Sequence, residues 1–526
     1  MSIITKNTQK NLERLEKILP KYINNQVVPK DVLVIIEKCI RKPLTDENIH
    51  QAIKYYFIEY KINKKKTKKQ LQINKKQQII YNHGPISNWD VSQVTNMKGL
   101  FNNYENFNED ISKWDVSNVT NMEYMFSNAE SFNQPLDNWN VSNVKNMSYM
   151  FYYTTSFNQP INNWDVSNVT NMIFMFSNAR SFNQPLNNWN VSQVTNMVQM
   201  FLGTSFNQPL NNWNVSNVID VEGMFSNARS FNQPLNTWNV SQVTNMAQMF
   251  YKAYTFNQPL DDRNVSNVTN MSAMFQNAKK FNQPLNNWNT AKVTTMEYMF
   301  QEAENFNQSI NNWNVSNVTN IIAMFLSATS FNQPLNNWNI SKVTDMERMF
   351  YDAESFNQPL NSWNVSNVTN TNMVQMFYRA YTFNQPLNNW NVSNVTDLSG
   401  LFHAATSFNQ PLNEWNVSNV TDLNCMFNEA KSFNQPLNNW NISKVTDMSW
   451  MVYQTSFNQP LNNWNVSSVT NMNRMFYKAR SFNQPLNNWN VSNVTQMYRM
   501  FSEAKSFNIQ ENAPWYDGDY QEYSFD

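Results

Sequence analysis

Proton-transfer catalysis needs positioned titratable groups, and this chain of 526 residues offers three histidines, His50, His83 and His403. None stands beside a nucleophile-like motif, and only His403 lies well inside the patterned part of the chain. The two cysteines, Cys39 and Cys425, fall far apart and in no CxxC pair, so they read as plain apolar residues and not as a disulfide or zinc framework. Six glycines in the whole chain leave neither a phosphate-cradling loop nor a glycine-rich calcium repeat. The carboxylates of Asp345, Asp397, Asp422 and Asp447 recur in a T-D-[ML] context and could form a row. They read better as Asp replacing Asn at a capping position. No catalytic residue, no metal site and no cofactor is expected, and an enzyme acting on polysaccharide is the remote alternative.

Two further patterns mimic chemistry. N-V-S and N-V-T triplets, such as Asn140-Val141-Ser142, match the glycosylation sequon many times over, but their regularity reads as structure. A row of tryptophans could stack on sugars, yet a residue repeated in every unit is more often core. Specificity is expected where the pattern drifts. Between two fixed methionines, and after a fixed phenylalanine, stand Tyr124, Tyr149, Tyr251, Tyr351, Tyr378, Arg379, Trp450 and Tyr498. Tyr, Trp and Arg are enriched in binding hot spots, so these residues form the candidate stripe for a protein partner. An idle solvent face is the competing reading. A second candidate is the basic run of residues 61–76, with Lys64, Lys65, Lys66, Lys68 and Lys69, which could meet nucleic acid or an anionic surface. A solvated linker or helix face is its plainer reading.

The element that must position all of these is a repeat. Trp89, Trp114, Trp139, Trp164 and Trp189 lie 25 apart, and the series runs on to Trp489, with Arg263 where one Trp is due. The unit reads F-N-Q-P-L-N-N-W-N-V-S-N-V-T-N-M-x-x-M-F-x-x-A-x-S. One such unit cannot enclose its own Trp, Phe, Met, Leu and Val, so about 17 copies must stack to build a core. The run V-T-N-M-x-x-M-F-x-x-A puts apolar groups at i, i+3, i+6, i+7 and i+10, which predicts one short helix per coil. Proline disfavours F-N-Q-P-L as a paired strand, so the short strand is placed in W-N-V-S. The fold class is therefore an α/β repeat solenoid, each coil with one strand and one helix. Recurrent Asn is expected to form amide ladders at the corners. The coil holding Arg263 is expected to be a local weak point or a bend.

The stretches WDVSNVTNMEYMF (Trp114 to Phe126) and SFNQPLNNWNVS (Ser181 to Ser192) resemble the BspA-like leucine-rich-repeat surface-protein family, over roughly residues 80 to 510. The resemblance implies a right-handed, leucine-rich-repeat-like solenoid used for adhesion or protein contacts without known enzymology. Similar repeats occur in bacteria, protists and giant DNA viruses.

The ends differ from the repeats. Residues 1–80 carry 18 Lys/Arg against 7 Asp/Glu although the whole chain is neutral, so the remainder is acidic. Residues 1–60 read as helical, with Leu12, Leu15, Ile18 and Leu19 at helical spacing, VLVIIEKCI after Asp31, and a further helix near Thr45-Asp46-Glu47 carrying Ile49, Ile53, Tyr56 and Phe57. Residues 61–80 form a basic linker or helix, 81–508 the repeats, and 509–526 an acidic cap or tail. No apolar run spans a bilayer and the N-terminus lacks a secretory pattern, so an intracellular location is expected, with a particle or cell surface as what the resemblance implies. The leading functional expectation is a non-catalytic scaffold for protein–protein interaction. A surface- or particle-associated adhesion protein is the alternative.

Overall fold

The computed structural model describes residues 43–57, 75–80 and 82–518. The helices expected before residue 43, Cys39, the five lysines Lys64, Lys65, Lys66, Lys68 and Lys69, and residues 519–526 of the acidic tail lie outside them. The chain divides into two bodies, Met1–Val194 and Thr195–Asp526.

Among the described residues of the first body the helix Ile49–Tyr56 comes first, and it buries Ile49, Ala52 and Ile53. That spacing makes one apolar helix face. At its C-terminal end, Tyr56 and Phe57 meet the first coil edge-on, with ring centroids 5.5 Å from Trp89 and from Phe107 respectively. Asp46 completes this cap. In the coil that follows, the amide of Thr120 donates to the carbonyl of Thr95 at 2.8 Å. Thr95 has no such coil before it, and Asp46 supplies the acceptor: Oδ1 takes the amides of Thr95 (2.8 Å) and Asn96 (3.0 Å), and Oδ2 takes the Thr95 hydroxyl (2.6 Å). A terminal repeat needs such a substitute neighbour.

The coils themselves correct the expected helix and strand. Among the described residues no α-helix forms over the V-T-N-M-x-x-M-F-x-x-A run of any coil, and the strands reduce to single parallel bridges such as Asn96–Asn121–Asn146–Asn171. Where the helix was expected, amides alternate between two destinations. Those of Met125, Ser127 and Ala129 close four-residue turns onto the carbonyls of Met122, Tyr124 and Phe126, at 3.1, 3.1 and 2.9 Å. Those of Met122, Tyr124, Phe126 and Asn128 leave the coil for the carbonyls of Asn146, Ser148, Met150 and Tyr152, at 3.0, 3.0, 2.9 and 2.7 Å. An α-helix would have spent all of these donors internally, whereas this arrangement satisfies the backbone and bonds the coils together. The geometry requires a positive φ at the third residue of alternate turns, and Tyr124 (56°) and Asn128 (57°) supply it. Apolar residues three apart suit such turns as well as they suit a helix.

The strand expected in W-N-V-S is displaced for a related reason. Its Asn folds back on its own backbone: Asn140 Oδ1 accepts the amide of Ser142 at 3.2 Å and the Ser142 hydroxyl at 2.8 Å. Asn is prone to such turns. The bridge moves to the residue before the first Met.

The second body repeats the scheme. Met271, Ala273, Phe275 and Asn277 donate to Thr295, Glu297, Met299 and Gln301 at 3.2, 2.8, 2.9 and 2.7 Å. Its amide ladder is regular: Asn232, Asn257, Asn282 and Asn307 each donate a backbone N–H to the side-chain oxygen of the Asn 25 residues earlier, at 2.9 to 3.0 Å. The core is a set of ring columns. Trp338 and Trp363 stack at 6.4 Å and 4°, and Phe325 and Phe350 at 5.7 Å and 3°. The inserted Thr371-Asn372 is absorbed as one extra turn, Asn372 donating to Thr369 (3.2 Å) and taking over the acceptor role for Met346 (3.0 Å). At the far end, Trp515 stacks on Trp489 at 6.1 Å although its surrounding sequence has left the repeat.

Candidate interaction face

Alternate turns leave four drifting positions per coil, where small residues such as Ser127, Ser148 and Ala273 are buried and large ones reach the surface, and each position forms its own column along the stack. Tyr124, Tyr149 and Trp450 share the second position after the first Met, Tyr498 has the first, Tyr251, Tyr351 and Tyr378 follow the Phe, and Arg379 comes one later. The eight candidates therefore occupy four columns, not one stripe. In the first body Tyr124 stacks on Tyr149 at 4.4 Å, and Tyr149 on Phe174 at 4.7 Å with Tyr152 edge-on at 5.5 Å. In the second body Tyr351 stacks on Tyr378 at 4.4 Å, and Tyr378 on His403 at 4.3 Å.

A second group there alternates aromatic and cationic side chains. Arg474 lies over Trp450 (4.5 Å) and Tyr498 (5.2 Å), and Lys478 over Tyr477 (5.2 Å), while Tyr453 meets Trp450 at 5.1 Å. Tyr251 is met by Lys252 at 4.8 Å, and Arg379 pairs with Asp352 at 3.6 Å. Reasoning from the sequence missed Tyr152, Phe174, His403, Tyr453, Arg474, Tyr477 and Lys478. Each could have been found by reading one position in successive units rather than neighbours along one unit.

Burial shifts two of the titratable side chains, Cys425 and His403. Burial pushes the Cys425 thiol above its ordinary value, which removes thiolate character. Burial, aided by Arg379, lowers His403 to about 4, so its ring is neutral over most of the pH range. The Trp row is core: Trp338 and Trp363 are 4% and 2% exposed. Among the described residues no group of three or more His, Cys, Asp or Glu could hold a metal ion, and no helix is long and apolar enough to cross a membrane.

Asp397, Asp422 and Asp447 do stand in consecutive coils, joined by parallel bridges. Oδ1 of each accepts the amide two residues on, at 2.8, 2.7 and 2.8 Å, and Oδ2 of Asp447 also takes the Asn471 side-chain amide of the next coil at 2.8 Å. Burial pushes the Asp422 carboxyl up; the Asn424 amide opposes this, and the carboxylates of Asp397 and Asp447 add to it. Raised in the folded state, this group favours folding below its ordinary 3.8 and loses that benefit as pH rises through the elevated value. Asp422→Asn, which restores the residue most coils carry, should therefore be more stable than the parent at pH 7. Thermal melts of both proteins should converge as pH falls below 4, and a gain that persisted in acid would contradict the charge origin.

Comparison with known proteins gives one family. The family model described as "Mycoplasma protein of unknown function, DUF285" matches residues 70–189, 175–288, 275–372, 370–456 and 439–519, each segment spanning several coils. No curated protein matches the chain. With these overlapping segments covering most of its length, the chain belongs to the DUF285 family of tandem repeats.

Proposed function

We propose that the chain is a non-catalytic repeat scaffold that holds a protein partner on the aromatic and cationic columns of its turn face. The observation that carries this reading is the stacking of half-exposed side chains from successive coils, Tyr124–Tyr149–Phe174 in one body and Tyr351–Tyr378–His403 in the other. Pre-stacked rings lose little conformational entropy on binding and offer flat apolar area with polar edges, which is what hot-spot residues supply. The fold that goes with this reading is a solenoid of the leucine-rich-repeat-like kind.

The BspA-like resemblance supports a second reading, adhesion at a cell or particle surface. Proximity labelling in the native cell separates the two, since a scaffold and a surface coat have different neighbours. The combined variant Tyr124→Glu, Tyr149→Glu, Tyr378→Glu and Trp450→Glu tests the face itself. The backbone should tolerate it, because Glu302 and Glu503 already occupy positive-φ positions in other coils, at 55° and 58°. Partner recovery should fall at least about tenfold while the melting curve stays in place. Unchanged recovery of every partner would sink the assignment of this face.

A further inference from the structure

Arg263 stands where every neighbouring coil has a buried indole, and a cavity opens around it. With Arg263 in place the cavity holds about 20 Å³, so a ring enters only as that side chain leaves; the walls include Leu235, Trp238, Met249, Phe250, Leu260 and Trp288. Adjacent indoles elsewhere in this body stand 6.0 Å (Trp288–Trp313) to 6.4 Å (Trp213–Trp238) apart. Trp238 and Trp288 are separated by two such steps with no ring between them.

The missing ring also leaves a polar vacancy. In the next coil the carbonyl of Leu260 accepts two donors, the amide of Arg263 (3.2 Å) and the indole N–H of Trp288 (2.9 Å). Leu285 does the same with Trp288 (3.3 Å) and the Trp313 indole (2.9 Å). At Leu235 only the first of the pair is present, the amide of Trp238 at 3.0 Å. Phe250 likewise lacks the tilted indole that Phe275 finds in Trp288 at 6.3 Å. Arg263 is a poor filler: its Nη1 donates to the Trp238 carbonyl at 2.8 Å, but its Nε is buried with no partner. A buried donor left unpaired destabilises the position it occupies.

We propose that this slot is a binding site for a planar aromatic ring bearing one N–H donor, an indole in chemical class. The ring lies between Trp238 and Trp288, packs against Phe250 and Met249, and donates to the Leu235 carbonyl. Arg263 swings outward toward Asp262 as it enters. The rest of the stack fixes the walls: the coil hydrogen bonds pass through this point undisturbed, Thr269 to Thr244 and Thr294 to Thr269 both at 2.9 Å. Apolar cavities with rigid walls take rings of matching shape.

The probe is fluoroindole followed by fluorine NMR with the full chain. Wild type should broaden its line, Arg263→Ala should broaden it more strongly, and Arg263→Trp, which supplies the ring the other coils carry, should bind at least about tenfold more weakly. Methylating the indole nitrogen should weaken binding about fivefold, the value of one neutral hydrogen bond. Equal broadening by wild type and Arg263→Trp would overturn the proposal, as would no broadening by either wild type or Arg263→Ala. Indifference to N-methylation would overturn the donor requirement. Competition by N-acetyltryptophanamide then separates the two sources of such a ring: displacement points to a Trp side chain of a partner, and retention to a free small molecule.

Discussion

Trp415→Ala is expected to cost about 3–5 kcal/mol, the range for emptying a large aromatic site in a packed core. Trp415 is 3% exposed, stacks on Trp390 at 6.4 Å and 4°, and meets Phe402 at 6.5 Å. Its indole N–H also donates to the Leu387 carbonyl at 3.0 Å. Truncation removes the ring contacts of two coils and one of the two donors on that carbonyl. In a stack where each coil touches only its neighbours, the loss should remain local. Hydrogen exchange should accelerate by about a hundredfold or more at the amides of Val420, Met426 and Phe427 and in the two adjoining coils, while amides near Phe300 and Phe325 keep their protection. A loss below about 1 kcal/mol would mean that the backbone ladder, and not the rings, holds the coils together. Arg263 is nature's own version of this experiment. Its coil keeps its hydrogen bonds in place, so a single absent ring does not break the backbone ladder.

The comparison of Trp415 with Arg263 indicates what was legible in the sequence. Spacing alone located the ring columns and the Asn ladder, because each depends on one residue type returning every 25 positions. Direction was harder. The run from Val to Ala has helical spacing, yet its amides donate alternately within and between coils, and nothing in one unit distinguishes the two patterns. The clue was in the glycines. Gly99, Gly203, Gly223 and Gly400 all fall at the drifting positions with φ between 57° and 68°, whereas glycine within a helix is unfavourable. At the other coils Tyr, Asn, Gln, Arg or Glu bears the same positive φ, at some cost in strain, which hid the pattern. The candidate face suffered in the same way. Tyr149 and Phe174 are far apart in one unit's reading but share a ring stack in space.

Acidification should destabilise the second body through His403. The ring lies on Tyr378 at 4.3 Å and 14°. Its backbone carbonyl accepts the amide of Arg379 at 2.7 Å, which keeps that residue's cationic side chain near. Burial first and Arg379 second lower its folded value from 6.5 to about 4. A base lowered by folding supports stability above its unfolded value and withdraws that support as pH falls toward the folded one. The window therefore runs from about pH 6.5 down to about pH 4, and the loss should reach about 2 kcal/mol once screening at a half-buried ring is allowed for. The Asp422 contribution has the opposite sign, stability rising as pH falls toward 3.8. His403→Tyr is the decisive variant. It continues the aromatic column that Tyr351 and Tyr378 begin, so the stack persists while the titrating group is removed. Its melting temperature should be nearly level between pH 6.5 and 4.5 where the parent falls; a parallel fall in both proteins would place the acid sensitivity elsewhere in the chain.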